Sequence, residues 1–318
     1  MPKLNKISIH QDGLVGTLYH PETSQKLPGL ILLSGSDGGI PGTNAIPEAF
    51  IESLSRKGFA VLGLAYWGVD ALPENLENIP LEYFENALHW LGSHPKVQEN
   101  RVSIVGQSRG AELALLLGSI FPNHIRSIVA SAPCSMICGG FPHPNRPAWL
   151  YQNKPIAPYL SGVSSDDSNL TEMDDLRIAC EKHVIPHHAN TQEDPYILTE
   201  LFAARNSKKG ADLAAIPVEK IKCPVLLLSG DQDAIWPAKS YCELIMNRFE
   251  KYRSPIIRKH LNYLEAGHGI IASYDGPIFH PKGQFWCRLG GTVSDNKMAN
   301  EKSWIAISEF LQETLSKR

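Results

Sequence analysis

Residues 102–117 read Val-Ser-Ile-Val-Gly-Gln-Ser-Arg-Gly-Ala-Glu-Leu-Ala-Leu-Leu-Leu. Val102–Val105 is a short apolar run of β type, Ala111–Leu117 consists of strong helix formers, and only Gly106-Gln107-Ser108-Arg109-Gly110 separates them. A strand that reverses into a helix over so few residues makes a crowded turn. Glycines on both sides keep side chains out of it while the central serine stays exposed. The stretch predicts a nucleophile elbow with Ser108 as the reactive group, and the strand before and helix after it are the context that gives a G-x-S-x-G its meaning.

The alternation continues on both sides of the elbow. Apolar runs at Ile7–His10, Leu14–His20, Gly29–Ser34, Ala60–Ala65 and Arg101–Val105 read as strands, with helices at Ile46–Lys57, Leu81–Leu91 and Ala111–Phe121. Further strands are expected at Ile125–Ala130, Pro224–Ser229 and Ile256–Leu264, and helices at Ala238–Phe249 and Ala299–Leu315. Strands apolar on both faces belong in a mostly parallel sheet covered by helices on each side. The expected class is therefore α/β, an α/β-hydrolase fold with a mostly parallel central sheet flanked by helices. The pattern breaks over residues 133–220, which are rich in Pro, Gly, His and Asn. A structureless loop of that length is improbable in a compact domain, so this segment is expected to be a cap insertion with helices at Thr171–His183 and Pro195–Ala204, within a single domain over 1–318.

Composition narrows the function classes. With 318 residues, 43% hydrophobic and 20% charged, the chain can bury a large core. A net charge of −3 and the lack of any basic block leave no electrostatic footprint for nucleic acid or an anionic membrane, so neither partner is expected. The opening Met-Pro-Lys-Leu-Asn-Lys leads into no apolar leader, no run is long enough to cross a bilayer, and the final Leu-Ser-Lys-Arg is not the Ser-Lys-Leu address; a cytoplasmic location is expected. Six scattered cysteines, Cys134, Cys138, Cys180, Cys223, Cys242 and Cys287, read as free thiols, and the Cys134/Cys138 spacing lacks the second pair of a zinc site.

A serine hydroxyl is a weak nucleophile at neutral pH, so it needs a base and a group that orients the base. An apolar run ends in Gly230-Asp231-Gln232-Asp233-Ala-Ile-Trp236-Pro237, at the carboxyl edge of a strand, where ligands of open α/β sheets bind. Tyr263-Leu-Glu-Ala-Gly-His268-Gly follows the next strand, and the order Ser, Asp, His is that of the α/β-hydrolases. Asp233 is favoured as the acid, with Asp231 bracing the turn. Two donors must also face a developing oxyanion: the backbone N–H of Arg109 and, from the loop Ser34-Gly35-Ser36-Asp37-Gly38-Gly39, that of Ser36. Gly38 and Gly39 would let backbone approach a substrate closely, and among the loop aromatics Trp67, Trp149, Tyr151, Trp236 and Phe285, the residues Trp149, Tyr151 and Trp236 are the candidate walls of an acyl pocket. Glu112 reads as a structural carboxylate. His183, His187 and His188 are split by Pro186 and lack a carboxylate pattern, so no metal is expected, and the chemistry calls for no organic cofactor.

These stretches resemble the catalytic domain of the acyl-CoA thioesterase and bile acid-CoA:amino acid N-acyltransferase family. The resemblance is carried by Gly35–Gly39, the elbow Gly-Gln-Ser-Arg-Gly-Ala-Glu-Leu-Ala-Leu, the segment Ala148-Trp149-Leu150-Tyr151-Gln-Asn-Lys-Pro155-Ile156, and the acid turn ending in Trp236-Pro237. Tyr263, Ala266-Gly-His268, Leu289-Gly-Gly-Thr292 and Trp304 extend it over nearly the whole chain. The resemblance implies an α/β-hydrolase acting on acyl-CoA. Members with serine at the elbow are similar to thioesterases and those with cysteine conjugate amino acids, so Ser108 implies hydrolysis. Animal members carry an N-terminal β-sandwich; here Met1–Pro28 precede the oxyanion strand, enough for two opening strands. No basic cluster for the CoA phosphates stands out, with Arg109, Arg146 and Lys154 as candidates. The expectation is thus a serine hydrolase whose partner is a small-molecule acyl ester or acyl-CoA. A carboxylesterase or dienelactone-hydrolase-like enzyme is the nearest alternative, with an N-acyltransferase or an inactive binding scaffold behind it.

Overall fold

Along the chain the elements are β1 (Leu4–Gln11), β2 (Leu14–Pro21), β3 (Leu27–Leu33), α1 (Glu48–Arg56), β4 (Ala60–Ala65), β5 (Ile79–Pro80), α2 (Glu82–Ser93), β6 (Val97–Gln107), α3 (Arg109–Ile120) and β7 (Ile128–Ser131). There follow β8 (Trp149–Tyr151), β9 (Lys154–Pro155), α4 (Glu172–Glu181) and α5 (Leu198–Asn206). The alternation resumes with β10 (Val225–Gly230), α6 (Ala238–Lys251), β11 (Arg258–Tyr263), β12 (Ile278–Phe279), β13 (Cys287–Arg288) and α7 (Val293–Ser316). The computed structural model describes residues 3–42, 46–271, 278–279 and 286–316; Phe285 lies outside them.

The main sheet has eight strands in the order β1-β2-β4-β3-β6-β7-β10-β11. β2 pairs antiparallel with β1 and with β4, and the pairs from β4 onward are parallel. Alternate residues of a strand face opposite sides, and here both sides are core. Ile31 and Leu33 of β3 and Val225 and Leu227 of β10 face the layer formed by α2, α3 and α6. Leu30, Leu32, Leu226 and Leu228 face Phe50, Ile51 and Leu54 of α1 and Ile307, Phe310 and Leu311 of α7. This is the expected α/β-hydrolase architecture, a mostly parallel sheet between two helical layers.

Differences from the sequence reading lie mostly at element ends. The last helix starts at Val293 and not Ala299, because Thr292 Oγ1 accepts from the Asp295 N–H (3.2 Å) and caps it. Between β7 and β10 the expected helices correspond to α4 and α5, and Thr171 and Asp174 form a reciprocal capping box at the start of α4. That segment also holds two short strands that the sequence reading did not assign. β8 pairs with β5 and with β9, tying residues 149–155 to the chain ahead of α2.

The junction of β6 and α3 positions the site. Ser108 has φ 57° and ψ −120°, a conformation disfavoured for an L side chain, and its N–H donates to Ser131 O at 2.9 Å. A Cβ on Gly106 would lie 2.1 Å from Gly110 O, and one on Gly110 would lie 2.1 Å from Leu33 O. Only bare backbone fits there. Gly110→Ala is expected to cost about 1–3 kcal/mol through overpacking, measured by urea denaturation; an unchanged midpoint would show that the turn can relax.

Candidate active site

Three loops at the carboxyl edge of the sheet converge. His268 Nε2 lies 2.8 Å from Ser108 Oγ, and His268 Nδ1 lies 2.8 Å from Asp233 Oδ2. Asp233 Oδ1 accepts the backbone N–H groups of Ile235 (2.9 Å) and Trp236 (3.2 Å), so the carboxylate is fixed by its own turn. Asp231 faces elsewhere, 2.9 Å from Lys239 Nζ and within 3.3 Å of Asn262 Nδ2. The Trp236 ring meets the imidazole edge-on at 5.4 Å, and its indole N–H donates to Ala132 O.

His268 and the turn that carries Asp233 are held through one carbonyl. Leu289 O accepts from His268 N (2.8 Å) and from Ala234 N (3.3 Å). Gly290 packs so tightly on the acid turn that a Cβ there would fall 1.6 Å from Gln232 O. Asn296, in the first turn of α7, accepts from Gly267 N and donates to Gly290 O. Gln107, next to the serine, donates to His268 O at 2.8 Å. The roles of Leu289, Asn296 and Gln107 escape a sequence reading because each acts through backbone groups far away in the chain.

Ser36 and Arg109 both line the pocket above Ser108 Oγ, and among the described residues neither backbone N–H has a hydrogen-bond partner. The Ser36 loop is anchored by the Tyr66 hydroxyl, which donates to Ser34 O, and by Gly35 N donating to Asp37 Oδ1. Arg109 sends its side chain inward to Glu112, with Nε–Oε2 at 3.0 Å. Glu112 is fully buried and accepts from Cys138 N (3.0 Å) and Trp149 Nε1 (3.1 Å). Burial pushes its carboxyl above the ordinary carboxylate range, against the pull of Arg109.

Of the five candidate substrate-lining residues, the structure places only Trp236 on the pocket. Trp149 is buried beneath it as the partner of Glu112. Tyr151 lies edge-on against Phe121. Gly38, with φ +62°, is bare because the Trp67 indole would stand 2.9 Å from a Cβ, and Gly39 N bonds Trp67 O; both glycines shape the turn and leave the pocket wall to Ser36 and Asp37. The apolar walls come from Phe141, Leu160, Leu198, Phe202 and Ile235, and buried Glu172 and Arg205 also reach the pocket. All six cysteines are free and buried, and burial pushes the Cys287 thiol, on the pocket wall, up to about 12. His188 pairs with Asp194 at 2.7 Å. A different trio, Glu85, His89 and His124, brings ligand-type atoms within 4.8 Å of one another, and none of the three lines the pocket.

A family model described as BAAT / Acyl-CoA thioester hydrolase C terminal matches residues 79–317. The chain belongs to this family. Relatives in the BAAT / acyl-CoA thioester hydrolase group include the Mus musculus acyl-coenzyme A amino acid N-acyltransferase 2, 29% identical over 99% of this chain and 66% of that protein. Mus musculus acyl-coenzyme A thioesterase 6 is 28% identical over the same shares. The chain thus spans just under two thirds of the length of these relatives. In fold it is similar to DcsB in complex with its substrate analogue (TM-score 0.57, 13% identity, 99% of each chain). The same holds for the thermophilic carboxylesterase EstE1 (TM-score 0.56, 15% identity, 98% of this chain and 89% of that one).

The geometry separates the two acids experimentally. Asp233→Asn puts an amide where His268 Nδ1 needs an acceptor and is expected to slow covalent labelling of Ser108 by a fluorophosphonate about 10³–10⁴-fold. Asp231→Asn removes only a partly exposed ion pair and should change the rate by a few-fold at most; the reverse order would reassign the acid.

Proposed function

We propose that this protein is a serine hydrolase of acyl thioesters, similar in action to the acyl-CoA thioesterases among its relatives. The observation that carries the reading is the unbroken chain from Ser108 Oγ through the His268 ring to Asp233, with 2.8 Å at each step. In this reading Ser108 Oγ attacks the thioester carbonyl as His268 Nε2 takes its proton, and Asp233 orients the ring and stabilises the imidazolium. The N–H groups of Ser36 and Arg109 receive the oxyanion. Collapse breaks the C–S bond, and the departing thiolate takes the proton from His268. Water, deprotonated by His268, then attacks the acyl-serine, releasing the acid and restoring Ser108.

Residues 133–220 act as the cap of a single domain in this proposal, since they supply Phe141, Leu160, Phe202 and Arg205 to the pocket. Six buried free thiols suit a cytoplasmic setting, and no helix among the described residues is long and apolar enough to cross a membrane.

A second reading, a carboxylesterase or dienelactone-hydrolase-like enzyme, is favoured by one observation. The cations that line the pocket, Arg109 and Arg205, are both buried and paired with carboxylates, which leaves them poorly placed for the phosphates of CoA. Steady-state thiol release from acyl-CoA of several chain lengths, beside p-nitrophenyl esters of the same acyl groups, decides between the two. A preference for CoA thioesters that falls by about 10⁴–10⁶-fold in Ser108→Ala is expected. Preference for the aryl esters would favour the second reading, acyl-glycine or acyl-taurine product would indicate transfer, and retained activity in Ser108→Ala would refute both serine mechanisms.

A further inference from the structure

The helices α4 and α5 place an ionic cluster in the wall of the pocket that opens onto Ser108. Arg205 is 4% exposed and Glu172 6%, and both line the pocket, while Asp175 behind them is completely buried. Arg205 Nη2 donates to Glu172 Oε2 at 2.8 Å and to Asp175 Oδ2 at 2.9 Å. The guanidinium lies against the Phe202 ring, 5.1 Å from its centroid. Asp175 is committed to the fold: its Oδ1 accepts from Val163 N and Ser164 N, holding that loop onto α4.

The cluster is incomplete in two respects. A guanidinium carries five N–H donors, yet both carboxylates are served by Nη2, and Nε is buried without an acceptor. Two carboxylates face one cation, leaving an excess negative charge in a wall otherwise built from Phe141, Leu160, Leu198 and Phe202. A pin between α4 and α5 needs one acid, and Asp175 already supplies it. Glu172, on the pocket side, is then a second acceptor with an oxygen, Oε1, that has no hydrogen-bond partner among the described residues. Unpaired buried donors and unbalanced buried charge are unfavourable unless something fills the site.

We infer that Glu172 and Arg205 form a polar subsite for a neutral group that both accepts and donates hydrogen bonds, a carboxamide or hydroxyl carried on the acyl portion of the substrate. Its carbonyl or hydroxyl oxygen receives an Arg205 N–H, and its own N–H or O–H goes to Glu172. A terminal methyl leaves the guanidinium unsatisfied, and a terminal carboxylate meets the excess negative charge. Assignment to the acyl portion rests on the serine-hydrolase reading.

The test uses the full chain carrying Ser108→Ala, titrated calorimetrically with N-acetylcysteamine thioesters of a series of chain lengths ending in methyl, hydroxyl, carboxamide or carboxylate. At the length that reaches the subsite, the hydroxyl- or carboxamide-ended ligand is expected to bind about tenfold more tightly than the methyl-ended one, with the carboxylate weakest. Adding Glu172→Gln removes the excess charge and should raise carboxylate binding to within a few-fold of the hydroxyl, a shift that a purely structural pin would not produce. Equal affinities at every length, an unchanged ranking in the Glu172→Gln protein, or no binding of any ligand would overturn the subsite. Should Glu172→Gln not fold, the ranking by the Ser108→Ala protein alone decides. Turnover by the unmodified protein separates the two ideas: hydrolysis of all four ends without discrimination sinks the subsite only, whereas a clear binding rank without any hydrolysis sinks the hydrolase reading only.

Discussion

The rest of the site depends on the backbone of Ser108. Its φ of 57° and ψ of −120° are of the kind that cost about 1–3 kcal/mol and persist only where surrounding packing over-determines them. Here the surroundings are close to immovable: β6 is paired on both sides, α3 is buried along almost its entire length, and the elbow glycines touch neighbouring backbone. The strain therefore cannot be released by a local shift. It holds Oγ at the sheet edge, within reach of a histidine delivered from 160 positions further along the chain.

Two buried arginines near that serine show how similar chemistry can serve different ends. Arg109 faces Glu112, whose Oε1 also accepts from Cys138 N and the Trp149 indole, so this cluster ties the start of α3 to the residues beneath the pocket. Arg205 faces two carboxylates and still keeps an unused donor. Each guanidinium keeps a buried Nε without a hydrogen bond, and the clusters differ in charge: the first matches one carboxylate to one cation, the second sets two against one. Polar groups in an apolar wall are costly when unmatched, which makes the surplus carboxylate of the second cluster, Glu172 on the pocket, informative about what enters.

What could be read in the sequence tracks how local the physics is. The elbow was legible because its steric rule acts within five residues, Gly106 to Gly110, and the sheet was legible because strands buried on both faces are continuous apolar runs, as in Val225–Leu228. Asp233 and His268 stood out because each sits in the turn just past a strand, and the structure brings both to Ser108. Trp149 was misread for a reason: an aromatic beside a loop looks the same in sequence whether it faces a cavity or, as here, a buried carboxylate. Arg205 and Glu172 gave no signal at all, since charged residues on a helix ordinarily face water and their partnership joins positions 33 residues apart across two helices. The start of α7 was missed because Gly290-Gly291 reads as the loop, although Thr292 and Asp295 carried a capping signal.

The bond from Leu289 O to both the acid turn and the histidine loop, with Asn296 behind it, also has a temporal meaning. Chains emerge from the ribosome in order, and domains fold as their sequence becomes available. The serine, its strand and most of the sheet precede residue 289 in the chain, whereas the carbonyl that joins the histidine loop to the acid turn, and Asn296 behind it, come after them. The contacts that tie the histidine loop to the acid turn are thus among the last that the chain can form during synthesis. A chain stalled before that point would also lack Cys287 and Leu289 from the pocket wall, and α7 from one face of the sheet.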